Sequence, residues 1–287
     1  CDRPLASVIV SLSREHWQRL GPTLADIAAE KAGILKPHCP AIVGQLPPEA
    51  RAVVDRRIAE LNCPVVYPQP AERLDSDLPP HSPLPTPHSL PWASYQTIVF
   101  PLPLQGDIQL HNSALAIATL QILRQQGWTI SDQQIAQGMA KTRWTGRLQW
   151  FIWKEHKILI DGAHNPASAE VLRRFVDAAG KRQQVEGNRE SQDAPLSPTH
   201  WVMGMLSTKD HADVFKALLR GGDRLYLVPV PDHSTADPEA LAKLAWQICP
   251  TLGGSETFDD VLTALDVATK NAEATDSMTV LSGSLYL

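Results

Sequence analysis

The most constraining feature of this chain is an alternation between short β-branched apolar runs and longer segments with helical spacing. The short runs are residues 7–10, 41–43, 64–66, 97–100, 157–160, 200–203, 224–228 and 278–281. Between them lie helical patterns at 23–32, 48–61, 113–126, 132–141, 167–179, 212–219, 238–247 and 258–270. Strand, helix, strand in this order predicts an α/β architecture with largely parallel sheets, because crossover helices are what join parallel neighbours.

Two stretches interrupt the pattern. Ten of the 24 prolines fall within residues 68–103, so that stretch is expected to be extended loop rather than core. Residues 181–198 are polar and aperiodic, which predicts a surface insertion.

A length of 287 residues favours two domains. The boundary is expected where Trp144-Thr145-Gly146-Arg147 closes one helical series and a new set of strands begins at Leu148, giving domains 1–147 and 148–287. The second should be a small Rossmann-like unit. The net charge of −5 argues against a nucleic-acid partner, and no apolar run is long enough to cross a membrane. Cys1, Cys39, Cys63 and Cys249 show no CxxC spacing, which suits a reducing cytoplasm and argues against structural zinc.

Thr23 is placed to cap a helix, with Asp26 as its acidic partner three residues on. Leu24, Ile27 and Ala28 mark the apolar stripe, and continuing it lands on Lys31 before Gly33 ends the helix. Lys31 is therefore expected to face inward. An enclosed ammonium either finds a partner or loses its proton, and a neutral amine can take up CO2 as a carbamate. Pairing with a carboxylate such as Glu30, or snorkelling to the surface, answers the same spacing. His16, just beyond the first strand, is either a loop histidine or an imidazole ligand for Mg2+ or Mn2+.

The run Ile160-Asp161-Gly162-Ala163-His164-Asn165-Pro166 is more specific. It places Asp161 at a strand end, a tight turn at Gly162 and Ala163, and a helix start with Asn165 as N-cap and Pro166 in the first turn. Asp161 and His164 then stand at the mouth of the sheet. An acidic side chain there suits ribose hydroxyls or a metal-bound water, and equally caps the turn backbone. Arg147 could clamp phosphates or bridge two domains at the surface. Asn112, at the predicted start of the 113–126 helix, is most simply an N-cap, and its amide could also read an adenine edge or a phosphate.

Taken together, these motifs resemble the folylpolyglutamate synthase/dihydrofolate synthase family of the Mur ligase superfamily. Residues 11–34 resemble its central signature, and Asp161–Pro166 its second. Further matches are 144–148, 203–210 and 282–286, in family order along nearly the whole chain. The resemblance implies a central ATPase domain followed by a Rossmann-like C-terminal domain. It implies that His16 is a metal ligand, that Lys31 is carbamylated near a second metal, and that Asn112, Arg147 and Asp161 contact ATP. His164 falls in the same cleft without an assigned role.

The implied reaction joins L-glutamate to dihydropteroate or a reduced folate through an acyl phosphate, with ATP, Mg2+ or Mn2+, and K+ as a further cation. The implied enzyme is a cytoplasmic monomer with small-molecule partners, no nucleic acid and no membrane. One departure stands out: the family's phosphate-binding loop ending in Gly-Lys-Ser does not occur in these residues. The expectation is a truncated central domain, inactive alone. Another Mur-type ligase and a non-catalytic nucleotide-binding fragment are the competing readings.

Overall fold

The computed structural model describes residues 3–14, 17–74, 90–186, 197–284 and 286–287. The chain divides into two compact units, Cys1–Arg143 and Trp144–Leu287.

The first unit contains β1 (Ser7–Ile9), α1 (Trp17–Leu20), α2 (Leu24–Ala32), β2 (Ala41–Val43), α3 (Pro48–Glu60), β3 (Val65–Val66), β4 (Glu72–Leu74), β5 (Trp92–Tyr95), β6 (Ile98–Pro101), α4 (Ile108–Gln125) and α5 (Asp132–Ala140). Strands β1, β2 and β3 form a parallel sheet in that order. Its strands alternate sides, as the two-residue pleat requires. Ala41 and Val43 pack with Ala28 and Ala32 of α2 and with Ala50 and Val54 of α3. Ile42 faces the other way, into a core with Ala93, Phe100, Ala114 and Ile117.

Helix α2 begins as its sequence predicts. The Thr23 hydroxyl accepts the Asp26 N–H at 3.1 Å, and Asp26 Oδ2 accepts the Thr23 N–H at 3.1 Å. Gly33 ends the helix in a right-handed conformation (φ −59°), so the stop comes from a tightened last turn rather than a left-handed glycine cap.

Three expectations about the chain's course are corrected. The 68–103 stretch is not all loop: β4, β5 and β6 form an antiparallel sheet, and Trp92, Ala93, Tyr95, Ile98, Phe100 and Leu102 are core residues. The prolines misled because they stand at strand ends. Pro91 precedes β5, and Pro101 closes β6, an edge strand that tolerates a missing N–H. Residues 75–89 lie outside the described residues. Within the expected 181–198 insertion, α6 of the second unit runs on to Glu186, while 187–196 lie outside the described residues. Finally, α4 starts at Ile108, so Asn112 sits in its second turn and is not the N-cap, a place that Asp107 takes. Gly106 (φ 92°) breaks the chain just ahead of this start, earlier than the apolar spacing suggested.

The second unit contains β7 (Gln149–Trp153), β8 (His156–Asp161), α6 (Pro166–Glu186), β9 (Thr199–Gly204), α7 (His211–Leu218), β10 (Arg224–Leu227), α8 (Pro238–Ile248), β11 (Gly254–Thr257), α9 (Val261–Ala274) and β12 (Met278–Gly283). Its six-stranded sheet has the order β11-β10-β9-β12-β8-β7, parallel except for β7, which pairs antiparallel with β8. Trp201, Met203, Leu225 and Leu227 pack with α6, α7 and α8 on one face. The residues between them in register, Val202 and Tyr226, pack with Ala264, Leu265 and Ala268 of α9 on the other. With helices on both faces, every residue of β9 is buried. That explains why Trp201–Met203 are apolar on both faces without alternation.

Candidate functional site

The carboxyl ends of five parallel strands gather the candidate chemistry of the second unit, where ligands of open α/β sheets bind. At the end of β8, Asp161 is almost fully buried. Its Oδ1 accepts the Ala163 N–H at 2.9 Å, and its Oδ2 accepts the Leu148 N–H at 2.9 Å. Gly162 N–H donates to Gly146 O at 2.8 Å, so the turn after β8 is laced to the segment that leads into β7. Burial pushes the Asp161 carboxyl up, opposed by the Leu148 N–H, the Arg147 charge, the Ala163 N–H and the nearby His164. Arg147 is half-buried. Backbone capping by Asp161, one of the two roles open to it in the sequence, is thus present. Each carboxylate oxygen still carries a second lone pair for a ligand donor.

His164 Nδ1 lies 2.8 Å from Gly162 O, which orients the ring by a bond inside the same turn. Asn165 Oδ1 accepts the Ser168 N–H at 2.8 Å, and Ser168 Oγ accepts the Asn165 N–H at 3.2 Å. This reciprocal cap, with Pro166 first in the helix, starts α6 as its sequence predicts.

Two glycines bring the neighbouring strand ends close. A Cβ on Gly283 (φ 113°) would fall 2.3 Å from Gly204 O. The Ser284 N–H donates to that same oxygen at 2.8 Å. Ser282 Oγ donates to Ala163 O at 3.3 Å, joining β12 to the Asp161 turn. Past β10, the His233 ring meets the Tyr286 ring with centroids 3.9 Å apart. Ser207 and Ser234 share a 2.7 Å hydroxyl contact. The sequence reading did not select His233. Its loop has no periodicity, and the only available signal was its place after a parallel strand.

The other sequence-selected residues belong to the first unit. Lys31 is half-buried rather than enclosed, beside the fully buried Ile27 and Ala28. Its carbonyl accepts the Ile34 N–H at 3.4 Å, while among the described residues no hydrogen bond or ion pair involves its side-chain ammonium. Asn112 Nδ2 donates to Gln109 Oε1 at 3.0 Å, a half-buried bond within the first turns of α4. His16 lies outside the described residues. Among the described residues no three His, Cys, Asp or Glu side chains converge to hold a metal ion. No helix among them is long and apolar enough to cross a membrane.

The second unit is therefore a mainly parallel α/β sheet covered on both faces, with polar and aromatic side chains collected at its carboxyl edge. Residues 148–287 match the family model described as "Dihydrofolate synthetase, C-terminal domain". The chain is 29% identical over 293 residues to the folylpolyglutamate synthase of Lacticaseibacillus casei, covering 99% of this chain and 60% of that protein. It is 29% identical over 287 residues to the dihydrofolate synthase/folylpolyglutamate synthase of Escherichia coli (strain K12), covering 96% and 56%. The fold matches the crystal structure of Mycobacterium tuberculosis folylpolyglutamate synthase complexed with ADP and AMPPCP, with a TM-score of 0.74, 23% identity, and 98% and 61% covered. The family model takes in just under half of the chain, and the similarity to folylpolyglutamate synthases and dihydrofolate synthases runs along nearly all of it. The chain spans about 60% of the length of the relatives it matches.

Proposed function

We propose that these residues serve an ATP-dependent ligase that joins L-glutamate to a folate-type carboxylate, of dihydropteroate or a reduced folate. The observation that carries this reading is the buried Asp161 turn at the carboxyl edge of a sheet whose whole length, 148–287, matches the dihydrofolate synthetase C-terminal domain. The reaction runs in two steps. The terminal phosphoryl group of ATP passes to a carboxylate oxygen of the folate, releasing ADP. The glutamate nitrogen then attacks the acyl carbon, phosphate leaves with the C–O electron pair, and the nitrogen gives up a proton.

In this reading Asp161 and Arg147 contact the nucleotide, the carboxylate toward hydroxyls and the guanidinium toward phosphates. His164 stands beside them, its ring held by the Gly162 carbonyl. In the first unit, Lys31 as a carbamate, His16 and Asn112 are the residues proposed to serve the reaction. The two units are proposed as a central ATPase domain and a Rossmann-like C-terminal domain of the Mur ligase type, in a cytoplasmic monomer.

The test is ATP-dependent incorporation of radiolabelled L-glutamate into dihydropteroate and into tetrahydrofolate by the polypeptide that carries these residues, with Asp161→Ala and Lys31→Ala beside it. Incorporation lost in both variants supports the reading, and the accepted substrate decides between the two activities. A folded protein that binds ATP and labels neither acceptor sinks it.

A further inference from the structure

Cys39 and Cys63 stand opposite each other where two parallel chain segments enter the first sheet. Strands β2 and β3 pair as Ala41↔Val65 and Ile42↔Val66, and counting back two residues reaches the two cysteines. Ahead of the ladder the two segments stay side by side, although the Cys39 N–H turns back to Lys36 O. Ala41 N–H donates to Pro64 O at 2.8 Å, and His38 N–H donates to Leu61 O at 2.9 Å. In both bonds the acceptor lies one residue before the donor's partner in the same register.

The local chain repeats as well: His38-Cys39-Pro40 runs beside Asn62-Cys63-Pro64. His38 and Asn62 are both left-handed, with φ of 61° and 50°. Each cysteine precedes a proline, which confines it to extended backbone.

One carbonyl ties them together. Lys36 O accepts the Cys39 N–H at 3.1 Å and the Cys63 S–H at 3.3 Å. Adjacent strands lie about 4.8 Å apart, inside the Cα separation of roughly 4.4–6.8 Å that a disulfide spans. Both cysteines are free thiols. Burial, and then the neighbouring Cys39, push the Cys63 thiol up.

We propose that Cys39 and Cys63 form a redox modification site, at which an intrachain disulfide closes when the chain meets an oxidised low-molecular-weight disulfide. Cys39 is half-buried and Cys63 buried, so Cys39 meets the oxidant first. Its thiolate attacks one sulfur of the oxidant, RSSR. A Cys39–S–S–R bond forms and RS⁻ leaves. Cys63 releases its proton to solvent and attacks Cys39 Sγ. The second RS⁻ departs, and both leaving groups take up the two protons. Two protein thiols and one RSSR thus become one protein disulfide and two RSH, with two electrons passing to the oxidant. The bond closes a loop that contains β2 and α3, and removes the S–H donor from Lys36 O just past the end of α2. In a reducing compartment such a bond is transient and reports oxidation.

The full chain is incubated with oxidised glutathione, its residual thiols are blocked with N-ethylmaleimide, and it is digested with trypsin without reductant. The expected product joins tryptic peptides 32–51 and 58–73 at a mass two hydrogens below their sum. It is lost on adding dithiothreitol and in Cys39→Ser, and unchanged in Cys249→Ser. Circular dichroism establishes that each oxidised sample is still folded. Glutathione retained on Cys39 with no linked peptide overturns the proposal. So does a linked peptide that pairs either cysteine equally with Cys249, because that pattern marks scrambling in an opened chain.

Discussion

Asp161 accepts the Leu148 N–H at 2.9 Å from the far end of a hairpin, tying the last residue of β8 to the residue that leads into β7. The same carboxylate holds the Ala163 N–H, so one side chain fixes both the way into the hairpin and the turn that leaves it. Asp161→Asn keeps one acceptor and sets an NH2 against the other N–H. The expected cost is about 1–3 kcal/mol, read from urea unfolding. Ligase activity should fall more than stability does if the carboxylate also meets the nucleotide.

Buried His200 lies between Tyr226, at 3.0 Å from its Nδ1, and Thr275, at 3.4 Å from its Nε2. Burial, with the Arg224 charge second, lowers its pKa from 6.5 to about 4. Between these values the unfolded chain holds a proton that the folded chain does not. Stability is therefore fully present above pH 6.5 and lost as pH falls toward about 4. The full effect is on the order of 3 kcal/mol. The carboxyls of Asp161 and Asp223 are raised by burial and act in the opposite sense, losing stability as pH rises from the ordinary carboxylate range. Subtracting the curve of His200→Gln from that of the parent isolates the histidine. A difference that does not vary between pH 4 and 6.5 contradicts the assignment.

Arg173 and Asp223 form a buried ion pair at 2.9 Å. Asp223 also accepts from Thr199 N, Trp201 Nε1 and Arg220 N. Removing the guanidinium in Arg173→Met strands a buried carboxylate and should cost about 3–5 kcal/mol in chemical denaturation. The double variant Arg173→Met/Asp223→Leu should not recover this loss, because three N–H donors are then left without their acceptor.

Gly283→Ala combines a left-handed backbone with a Cβ placed 2.3 Å from Gly204 O. Both penalties fall on the central strand, so a loss of about 3 kcal/mol is expected. Gly127→Ala also has a left-handed φ but open space around it, and should cost about 1 kcal/mol. Equal melting temperatures for the two variants would refute the crowding argument.

Much of this architecture is written in local chemistry. Thr23 with Asp26, and Asn165 with Pro166, mark helix starts through side chains that act on their own turn, and both are legible without tertiary information. Asp161 at a strand end was legible for the same reason. Less visible were features set by distant partners. Strand β11, Gly254–Thr257, is absent from the short apolar runs of the sequence, and is a strand because it pairs with β10. Trp92–Tyr95 was hidden because Pro91 stands just before it and Pro101 closes its partner β6, an edge strand where a missing N–H is tolerated. Asn112 was misplaced because Gly106, rather than the apolar spacing, decides where α4 begins. Lys31 continues the stripe of α2 on paper, but in the fold it reaches only the margin of the buried surface.

The position of β12 has a consequence for how the second unit is made. Met278–Gly283 sits between β8 and β9, although more than 70 residues separate it from β9 along the chain. Until that segment emerges from the ribosome, β8 and β9 have no shared neighbour, and the helices around them have no continuous surface to close upon. The unit therefore completes its fold only once β12 is in place, by insertion of an inner strand rather than by growth from one edge.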